Sequence, residues 1–286
     1  MKIGGNGRYF HANCNVQLRV LHAGDGFIDG DWWTLARVVS PYWALYRNRH
    51  AGAELDLADG TVLALDPQAA WLLPPWMGYG RRTSRVGHLW LHFDVSGLSP
   101  AALGGLFRAP VRLSVGRQFA ASCTALRRAL VARQSDALAV VIAAQSLAWA
   151  GFTQALATLS DTDRRRLVPG SGHGRLQPAF QHLSNHLGKP LYNDDLARRC
   201  GMGVQHFCRL FRAATGLSPM QYVIDRRIAL ASELLQAGDL PIEAVASACG
   251  FADRYAFTHV FTRRIGRSPA VYRDSLARQG EDSAHA

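Results

Sequence analysis

The most constraining feature of this chain is an internal repeat in its C-terminal third. A Cys-Gly pair, two phenylalanines, a glycine, a Ser-Pro pair and a tyrosine follow one another twice in the same order. The offset between the copies is 49 residues at the Cys-Gly pair and 50 residues from the phenylalanines onward. A repeat at nearly fixed spacing indicates one supersecondary unit that is used twice. The repeated residues are Cys200-Gly201, Phe207, Phe211, Gly216, Ser218-Pro219 and Tyr222, then Cys249-Gly250, Phe257, Phe261, Gly266, Ser268-Pro269 and Tyr272.

Each copy has the pattern of a helix-turn-helix unit. The glycine after the cysteine permits the sharp turn that ends a first short helix. In the second helix, apolar residues at i, i+3 and i+4 make one buried stripe and leave the opposite face free. A later glycine suits the end of that helix, and Ser-Pro suits the start of the next one. The sequence therefore predicts helix-turn-helix units at 193–215 and 241–265.

The free faces of the two second helices indicate the function. Glutamine, arginine and histidine side chains suit hydrogen bonds to base edges in the major groove of DNA. Arginines nearer the C-terminal ends suit phosphate groups. One such face alone could equally be an ordinary solvated helix face, but two faces in the same frame favour DNA binding. The predicted DNA-binding residues are Gln205, His206, Cys208, Arg209, Arg212, Arg254, Tyr255, Ala256, His259, Arg263 and Arg264.

Between the two copies, the segment from Pro219 to Gln236 continues an apolar periodicity without a breaker, which predicts one long helix. At about 1.5 Å per residue this helix would be roughly 27 Å long. A rod of that length would hold the two second helices about one DNA turn apart, which is roughly 34 Å. Both helices could then enter successive segments of the major groove on one face of the duplex.

This segment resembles the DNA-binding domain of the AraC/XylS family of transcription regulators. The resemblance implies an all-α C-terminal domain, double-stranded DNA as partner, a role as transcription activator, and RNA polymerase as a candidate further partner. The residues that carry it are Leu196-Ala197, Gly201-Met202, Arg209-Leu210-Phe211, Gly216, Ser218-Pro219, Tyr222, Arg227-Ile228, Ala231, Leu234-Leu235, Ile242, Val245-Ala246, Cys249-Gly250-Phe251, Phe257, Phe261, Gly266, Ser268-Pro269 and Tyr272-Arg273.

Length, charge and cysteine content bound the rest of the chain. With 286 residues, of which 48% are apolar, the chain is expected to form two domains with cores of their own. The formal net charge of +11 agrees with a polyanionic partner. Five cysteines without a CxxC pair predict neither a disulfide framework nor a zinc site. Because the N-terminus lacks the apolar stretch of a signal peptide, we expect a cytoplasmic protein. No cofactor or metal is expected.

After an irregular arm over residues 1–30, the region from Trp33 to Val95 follows a period of two, which predicts antiparallel strands in a barrel or sandwich. This region resembles the cupin-like ligand-binding domain found in part of the same family. The residues that carry this resemblance are Tyr46-Arg47-Asn48, Gly52-Ala53-Glu54-Leu55, Leu72-Leu73-Pro74-Pro75 and His92-Phe93-Asp94. The predicted strands are Val16–Leu21, Thr34–Val39, Trp43–Asn48, Ala53–Leu57, Thr61–Leu65, Ala70–Leu73 and Gly87–Phe93.

A pocket inside this barrel is expected to bind a small organic effector, and a sugar or related metabolite is the guess by analogy. Aromatic side chains would supply stacking area and polar groups would orient the ligand, although each aromatic could equally be plain core. His88 and His92 stand four residues apart and no HxH pair occurs nearby, so no metal site is predicted. The predicted effector-binding residues are Trp43, Tyr46, Arg47, Trp71, Trp90 and His92.

Two helices are predicted next, at Arg117–Ala132 and Asp136–Leu159. The second is apolar almost all round, and we interpret it as a packed helix rather than a membrane span. In the family the corresponding helices commonly pair subunits, so the resemblance implies a homodimer, with packing inside one chain as the alternative. The polar, glycine-rich segment from Asp161 to Arg175 is interpreted as a flexible linker.

The predicted architecture is therefore α+β with two domains. Residues 1–160 would form an antiparallel cupin-like barrel with dimerisation helices, 161–175 a linker, and 176–286 an all-α DNA-binding domain. The preferred interpretation is an effector-controlled transcription regulator that is not an enzyme and has no catalytic residues. Two alternatives stay open. One is an enzyme or repair protein with a DNA-targeting tail, although no P-loop or nucleophile elbow occurs. The other is a DNA-binding protein whose barrel serves only for oligomerisation.

Overall fold

A computed structural model describes residues 16–28, 35–132, 136–168, 171–238 and 240–274. The arm predicted for the first residues and the start of the strand predicted at Thr34 lie mostly outside these ranges. The chain is α+β, with antiparallel sheets in its N-terminal part and helices in its C-terminal part. The strands are β1 (Gln17–Ile28), β2 (Leu35–Val39), β3 (Trp43–Asn48), β4 (Ala53–Leu57), β5 (Val62–Ala64), β6 (Ala69–Leu73), β7 (Gly78–Thr83), β8 (Val86–Ser96) and β9 (Val111–Ser114).

These strands form a five-stranded sheet in the order β1-β8-β3-β6-β9 and a four-stranded sheet in the order β2-β7-β4-β5. The predictions for β3 and β4 are confirmed to the residue, whereas β7 and β9 were missed. Strand β1 is also longer than predicted and pairs with β8 along its whole length. Strand β1 is therefore a long edge strand of this sheet, and sequence reasoning predicted only its first part.

Side chains of the five-stranded sheet alternate between two cores. On β8, Leu89, Leu91 and Phe93 pack in a core shared with the neighbouring helices. Trp90 packs instead in a core shared with the four-stranded sheet, and His88 and His92 follow the same alternation. Both faces of the sheet are consequently buried, one by helices and the other by the second sheet.

Helices cover the outer face of the five-stranded sheet. The predicted pair is confirmed as α2 (Arg117–Val131) and α3 (Ala137–Ala157), and Phe152 of α3 is fully buried against Trp43. By length and composition α3 could cross a membrane, but here one of its faces packs on the sheet as expected for a packed helix. Its other face leaves apolar side chains exposed. The helices of this part are α1 (Pro100–Leu106), α2 (Arg117–Val131), α3 (Ala137–Ala157) and α4 (Asp161–Leu167).

The segment from Asp161 to Arg175, which the sequence analysis interprets as a flexible linker, is helical over most of the part that the structure describes. It contains α4 and the start of the next helix. Ser160 caps α4 by accepting a hydrogen bond from the backbone N–H of Asp163, and acidic residues in the first turn with arginines in the last suit the helix dipole. Leu167 is buried in the core with α1 and α3, so α4 belongs to the N-terminal part.

The C-terminal part is helical and has two cores. One core holds Phe207 and Phe211, and the other holds Phe257 and Phe261. The long predicted helix is confirmed as α8, which begins with the Ser218–Gln221 capping box and adds side chains to both cores. Residues 269–274 begin a further helix. The helices are α5 (Ser171–His186), α6 (Asn193–Arg199), α7 (Val204–Thr215), α8 (Pro219–Ala237), α9 (Ile242–Ala248) and α10 (Arg254–Ile265).

The N-terminal and C-terminal parts contact each other along α8 and its surroundings. Asp94 at the end of β8 pairs with Arg226 of α8, at 2.7 Å between Oδ2 and Nη1. Arg19 makes a two-pronged ion pair with Glu233, with N–O distances of 2.7 and 2.8 Å. The Tyr42 and Tyr272 hydroxyls are buried and lie 3.2 Å apart. These contacts attach the sheets to the helix that joins the two repeat copies.

Candidate nucleic-acid interface and sheet interior

Helix α7 of the first repeat copy has one buried face and one polar face. Phe207 and Phe211 are fully buried and pack on each other. The opposite face exposes Gln205, Arg209 and Arg212, while His206 and Cys208 are partly buried beside it. Arg209 Nη2 donates to His206 Nδ1 at 3.1 Å, which holds both polar groups on the same side of the helix. Four of the five side chains predicted on this helix thus lie on or beside its polar face, whereas Cys208 packs against the core that holds Phe207 and Phe211.

Helix α10 of the second copy repeats this arrangement. Asp253 caps its N-terminus by accepting a hydrogen bond of 2.7 Å from the backbone N–H of Ala256. Phe257 and Phe261 are fully buried. The opposite face exposes the other predicted side chains, of which Tyr255 is 85% exposed. The exposed predicted residues on this helix are Arg254, Tyr255, Ala256, His259 and Arg263.

Arg264 does not share the free face of α10. Its side chain is partly buried, and its Nη2 atom lies 2.8 Å from Asp225 Oδ1 of α8. The neighbouring Thr262 is exposed and takes the position that Arg212 holds in the first copy, at the offset of 50 residues. Sequence reasoning missed Thr262 because it assigned the phosphate contacts to the two arginines that follow it. At the same offset, His259 takes the position that Arg209 holds in the first copy. The polar faces of α7 and α10 therefore carry different side chains.

The interior between the two sheets brings together four of the predicted effector-binding residues. Tyr46, Trp71 and Trp90 lie in the core that the two sheets share, and His92 is buried beside them. His92 lies 6.1 Å from Tyr46 between ring centroids. Trp43 and Arg47 do not join this group, because both follow the odd-numbered alternation of β3 toward the helices. Trp43 packs on Phe93, Phe107 and Phe152 there.

Several polar groups that sequence reasoning did not consider also line this interior. Trp90 Nε1 donates to His22 Nδ1 at 2.9 Å, and the Tyr46 and Tyr79 hydroxyls lie 3.3 Å apart. Tyr42 stacks on His92 with 4.5 Å between ring centroids. His22 was missed because β1 was predicted to end at residue 21. Tyr79 was missed because the glycines and arginines of β7 hide its alternation.

Trp71 and His92 each bury a nitrogen atom in this interior. Trp71 and His92 are each 7% exposed. Within the residues that the structure describes, Trp71 Nε1 and His92 Nδ1 have no hydrogen-bond partner. Buried polar groups are nearly always hydrogen-bonded, so such atoms call for water or a ligand. The interior therefore combines aromatic surface with unused hydrogen-bonding capacity.

The histidines of the sheet interior are neutral at physiological pH. Burial lowers the pKa of His22 to about 4, and burial together with Arg81 and Arg127 lowers that of His88 to about 3. Burial, aided by His22 and Arg81, also holds the pKa of His92 well below its ordinary value. Among the described residues, no three His, Cys, Asp or Glu side chains are placed to share a metal ion. Neutral imidazoles would act here as hydrogen-bonding groups.

Known proteins match both repeat copies together. A family model described as a helix-turn-helix domain matches residues 196–275. The regulatory protein SoxS of Escherichia coli strain K12 is 30% identical over 101 residues, which cover 35% of this chain and 94% of SoxS. This chain belongs to the AraC/XylS family of transcription regulators. The MmsAB operon regulatory protein of Pseudomonas aeruginosa is 34% identical to this AraC-family protein over 103 residues, which cover 36% of the chain and 33% of that relative.

The matched segment spans about a third of the first curated relatives, 33% of the MmsAB regulator and 29% of the Bacillus subtilis regulator YfiF. A solved structure extends the likeness to nearly the whole fold of this AraC-family protein. ToxT of Vibrio cholerae covers 91% of the chain and 98% of its own length, with a TM-score of 0.52 and 10% sequence identity. The overall fold of the chain is therefore similar to that of ToxT.

Proposed function

We propose that this AraC-family protein regulates transcription by binding DNA sequence-specifically through two recognition helices, α7 and α10. The observation that carries the proposal is the pair of exposed polar faces, each backed by two fully buried phenylalanines. Both helices are joined through α8, whose 19 residues correspond to about 28 Å. That length agrees with two helices in successive segments of the major groove.

Individual roles follow from position on the two helices. Gln205, Arg209, Arg254 and His259 are exposed on the outer faces and have the hydrogen-bonding groups that read base edges. Arg212 and Arg263 lie near the C-terminal ends and suit phosphates. Arg264, expected from the sequence to contact phosphate, is given no such role because Asp225 already pairs with it.

Salt dependence tests the phosphate contacts. Arg212→Ala and Arg263→Ala should each weaken binding to any duplex and reduce the slope of log affinity against log salt by about one. Arg264→Ala is the matched control and should change the slope less, because its guanidinium is engaged by Asp225. The measurement is fluorescence anisotropy with a duplex of random sequence over a salt series. Equal slopes for all three variants and the wild type would contradict these assignments.

We further propose that a small-molecule effector binds between the two sheets. Support comes from the unpartnered Trp71 Nε1 and His92 Nδ1 atoms beside the aromatic rings of Tyr46 and Trp90. Structures of ToxT include one bound to an unsaturated fatty acid and one bound to a methylnaphthalenyl butenoic acid. Trp43 and Arg47, also expected from the sequence at this site, belong to the opposite face of the sheet and are left out of the proposal.

Changing Trp71 to phenylalanine tests the effector site. The variant keeps an aromatic ring but removes the Nε1 donor, and one lost hydrogen bond costs about 0.5–1.5 kcal/mol, or roughly three- to tenfold in affinity. Thermal shifts caused by a metabolite library should therefore shrink for compounds that stabilise the wild type. Trp43→Phe makes the same change on the helical side of the sheet and should leave these shifts intact. Equal loss in both variants would argue against a site between the sheets.

Tyr42 offers a route by which an effector would influence DNA binding. Its ring stacks on His92 in the sheet interior, and its hydroxyl lies 3.2 Å from that of Tyr272. Tyr272 in turn packs edge-on against Phe261, the buried phenylalanine of α10, with 5.4 Å between ring centroids. A ligand that displaces His92 would therefore disturb a contact that reaches a recognition helix.

RNA polymerase as partner and transcription activation stay predictions.

We propose that the protein is a homodimer joined through the exposed face of α3. The apolar side chains of this face recur along one side of the helix, and Val141 among them is 42% exposed. A second subunit would cover them, because one face of α3 packs on the sheet and the other face leaves apolar side chains exposed. The exposed apolar residues of α3 are Leu138, Val141, Ile142 and Trp149.

Val141→Glu in the full chain should shift the protein toward monomer. Burying an unpaired carboxylate in a subunit interface costs more than about 1.4 kcal/mol, so the dimer dissociation constant should rise more than tenfold. Val62→Glu makes the same change at a 50% exposed position on β5 of the four-stranded sheet and should leave the dimer unchanged. Sedimentation equilibrium measures both variants. A wild type that sediments as a monomer at tens of micromolar would refute the dimer.

A further inference from the structure

The loop that leads into the first repeat copy touches the second copy directly. If Gly188 carried a Cβ atom, that atom would lie 2.6 Å from the backbone oxygen of Ala248 at the end of α9. A Cβ atom on Gly250 would lie 2.7 Å from the backbone oxygen of Leu187. Both distances are too short for any residue with a side chain. The loop before α6 and the turn before α10 are therefore in backbone contact at two glycines.

Arg227 of α8 closes this contact from the side. Its Nε atom donates to the Leu187 carbonyl at 2.9 Å and its Nη2 atom to the Lys189 carbonyl at 2.8 Å, on either side of Gly188. Its guanidinium carbon lies 5.9 Å from the ring centroid of Phe251, in the turn before α10. Arg227, which belongs to the joining helix, thus contacts both the loop before α6 and the turn before α10.

A cleft of about 530 Å³ adjoins this contact and is lined in part by Gly188, Arg227 and Gly250. It lies between Pro190, Leu191 and Tyr192, just before α6, and Ser247, Phe251 and Ala252 of the second copy. The cores of the two copies are also distinct, since Val223 of α8 belongs to one and Ile228 to the other. The relative placement of α7 and α10 consequently depends on α8 and on the contact around Gly188.

We infer that Gly188, Gly250 and Arg227 form a spacing junction, which fixes the separation of the two recognition helices and so selects the spacing of half-sites that the protein accepts. This role rests on the proposed DNA binding. The three residues do not read bases; they position the two units that do. One base pair displaces a half-site by about 3.4 Å along the duplex, so even a small shift at the junction changes which spacing fits.

Gly188→Ala is the sharpest test. Gly188 is not among the glycines with positive φ, so alanine can adopt its backbone and the effect comes from the added Cβ alone. The probes are duplexes that the wild type enriches from a randomised library, rebuilt with one base pair added to or removed from the segment between half-sites. The wild type should prefer the native spacing by about tenfold or more, corresponding to one lost base contact. In Gly188→Ala this ratio should fall to about threefold or less, or the preferred spacing should change.

Two further measurements separate positioning from damage to one unit. Affinity of Gly188→Ala for a duplex with only one half-site should stay within about twofold of wild type, because each base-reading face is intact. Gly174→Ala is the matched control, since a Cβ atom there meets nothing within 4 Å. Arg227→Gln, which retains one donor group but not the fork, should relax the spacing preference in the same way. Arg227→Gln also provides the test if Gly188→Ala does not fold, and circular dichroism checks both variants.

Folded variants that keep the wild-type spacing preference would overturn the spacing junction while leaving the proposed DNA binding intact. An equal loss on single and double half-sites would also overturn it, because the residues would then serve the structure of one unit only. A wild type that enriches no duplex at all would instead refute the proposed function itself, and the junction with it.

Discussion

Replacing Arg209 with alanine should lower affinity for the specific DNA site roughly ten- to hundred-fold. Arg209 is exposed on α7, opposite the buried Phe207 and Phe211, and His206 holds its guanidinium on that face. A bidentate contact between arginine and guanine is worth about 1–3 kcal/mol of discrimination against the wrong base. Removing it should therefore also relax the preference at one base pair. Titration of the enriched duplex and its single-base variants measures both effects.

Arg212→Ala distinguishes base reading from a general electrostatic effect. Arg212 lies one turn further along α7, is exposed, and is assigned to a phosphate. Its loss should weaken binding to every duplex to a similar degree and leave the ranking of single-base variants unchanged. If Arg209→Ala also lowered affinity equally for every duplex, Arg209 would contact a phosphate and the base-reading role would be wrong.

Acid should unfold the N-terminal part well before carboxylate titration is complete. The pKa of His88 is lowered to about 3 and that of His92 lies well below the ordinary 6.5, so both stay neutral in the folded state. In the unfolded chain they bind protons as pH falls below about 6.5, so stability is fully present above that pH and is lost below it. Each histidine contributes a slope of about 1.4 kcal/mol per pH unit, and the pair about 3. The partly buried His22 adds a smaller share.

Tryptophan fluorescence measures this loss selectively. All seven tryptophans lie between residues 32 and 149, so their emission reports mainly on the N-terminal part, although Trp76 also packs against the core that holds Phe257 and Phe261. Denaturant titrations at pH 7.5, 6.5 and 5.5 should show falling unfolding free energy. His92→Phe keeps the ring stacked on Tyr42 and should reduce the slope by about 1.4 kcal/mol per pH unit. His50→Gln changes an exposed histidine and should leave it unchanged. A stability that is constant from pH 7.5 to 5.5 would contradict the neutral state of the buried histidines.

Local patterns in the sequence were sufficient to predict most of the helical part. The i, i+3, i+4 stripes of Phe207 and Phe257, the Ser218-Pro219 start and the uninterrupted periodicity of α8 all depend on nearby residues. The same reasoning applies to β3 and β4, whose period of two is regular. The helices satisfy their own backbone hydrogen bonds, and α7 and α10 each bury one face and expose the other, so their tertiary surroundings do not change the pattern.

Other elements depended on signals that were weak or misinterpreted. Ser99-Pro100 is the same start signal as Ser218-Pro219 and caps α1, yet it was not used. In β7, Arg81 and Tyr79 face the sheet interior, where arginine is uncommon, so the strand lacked an apolar alternation. The run of arginines at 164–166 indicated a linker because the two acidic residues before it were not recognised as a helix start.

The candidate sites were predictable to different degrees. The exposed face of each second helix was largely predicted, because buried phenylalanines define the opposite side of each helix, but the pairing of Arg264 with Asp225 depends on tertiary packing. The effector-binding residues were predicted from their side-chain type alone. Successive side chains of β3 face opposite sides of the sheet, and this alternation would have separated Trp43 and Arg47 from Tyr46. Tyr42 was missed because it lies just before β3, and its contacts with His92 and Tyr272 join distant parts of the chain.

The central claim is that two different recognition helices read one duplex together. Selection of duplexes from a randomised library by the full-length wild type, followed by sequencing, tests it most directly. The enriched duplexes should contain two fixed segments whose centres lie about 10–10.5 base pairs apart, with different sequences because α7 and α10 expose different side chains. Selection with Arg209→Ala should lose the preference in one segment only. Enrichment of no sequence, or of a single segment that His259→Ala and Arg209→Ala weaken alike, would contradict the account.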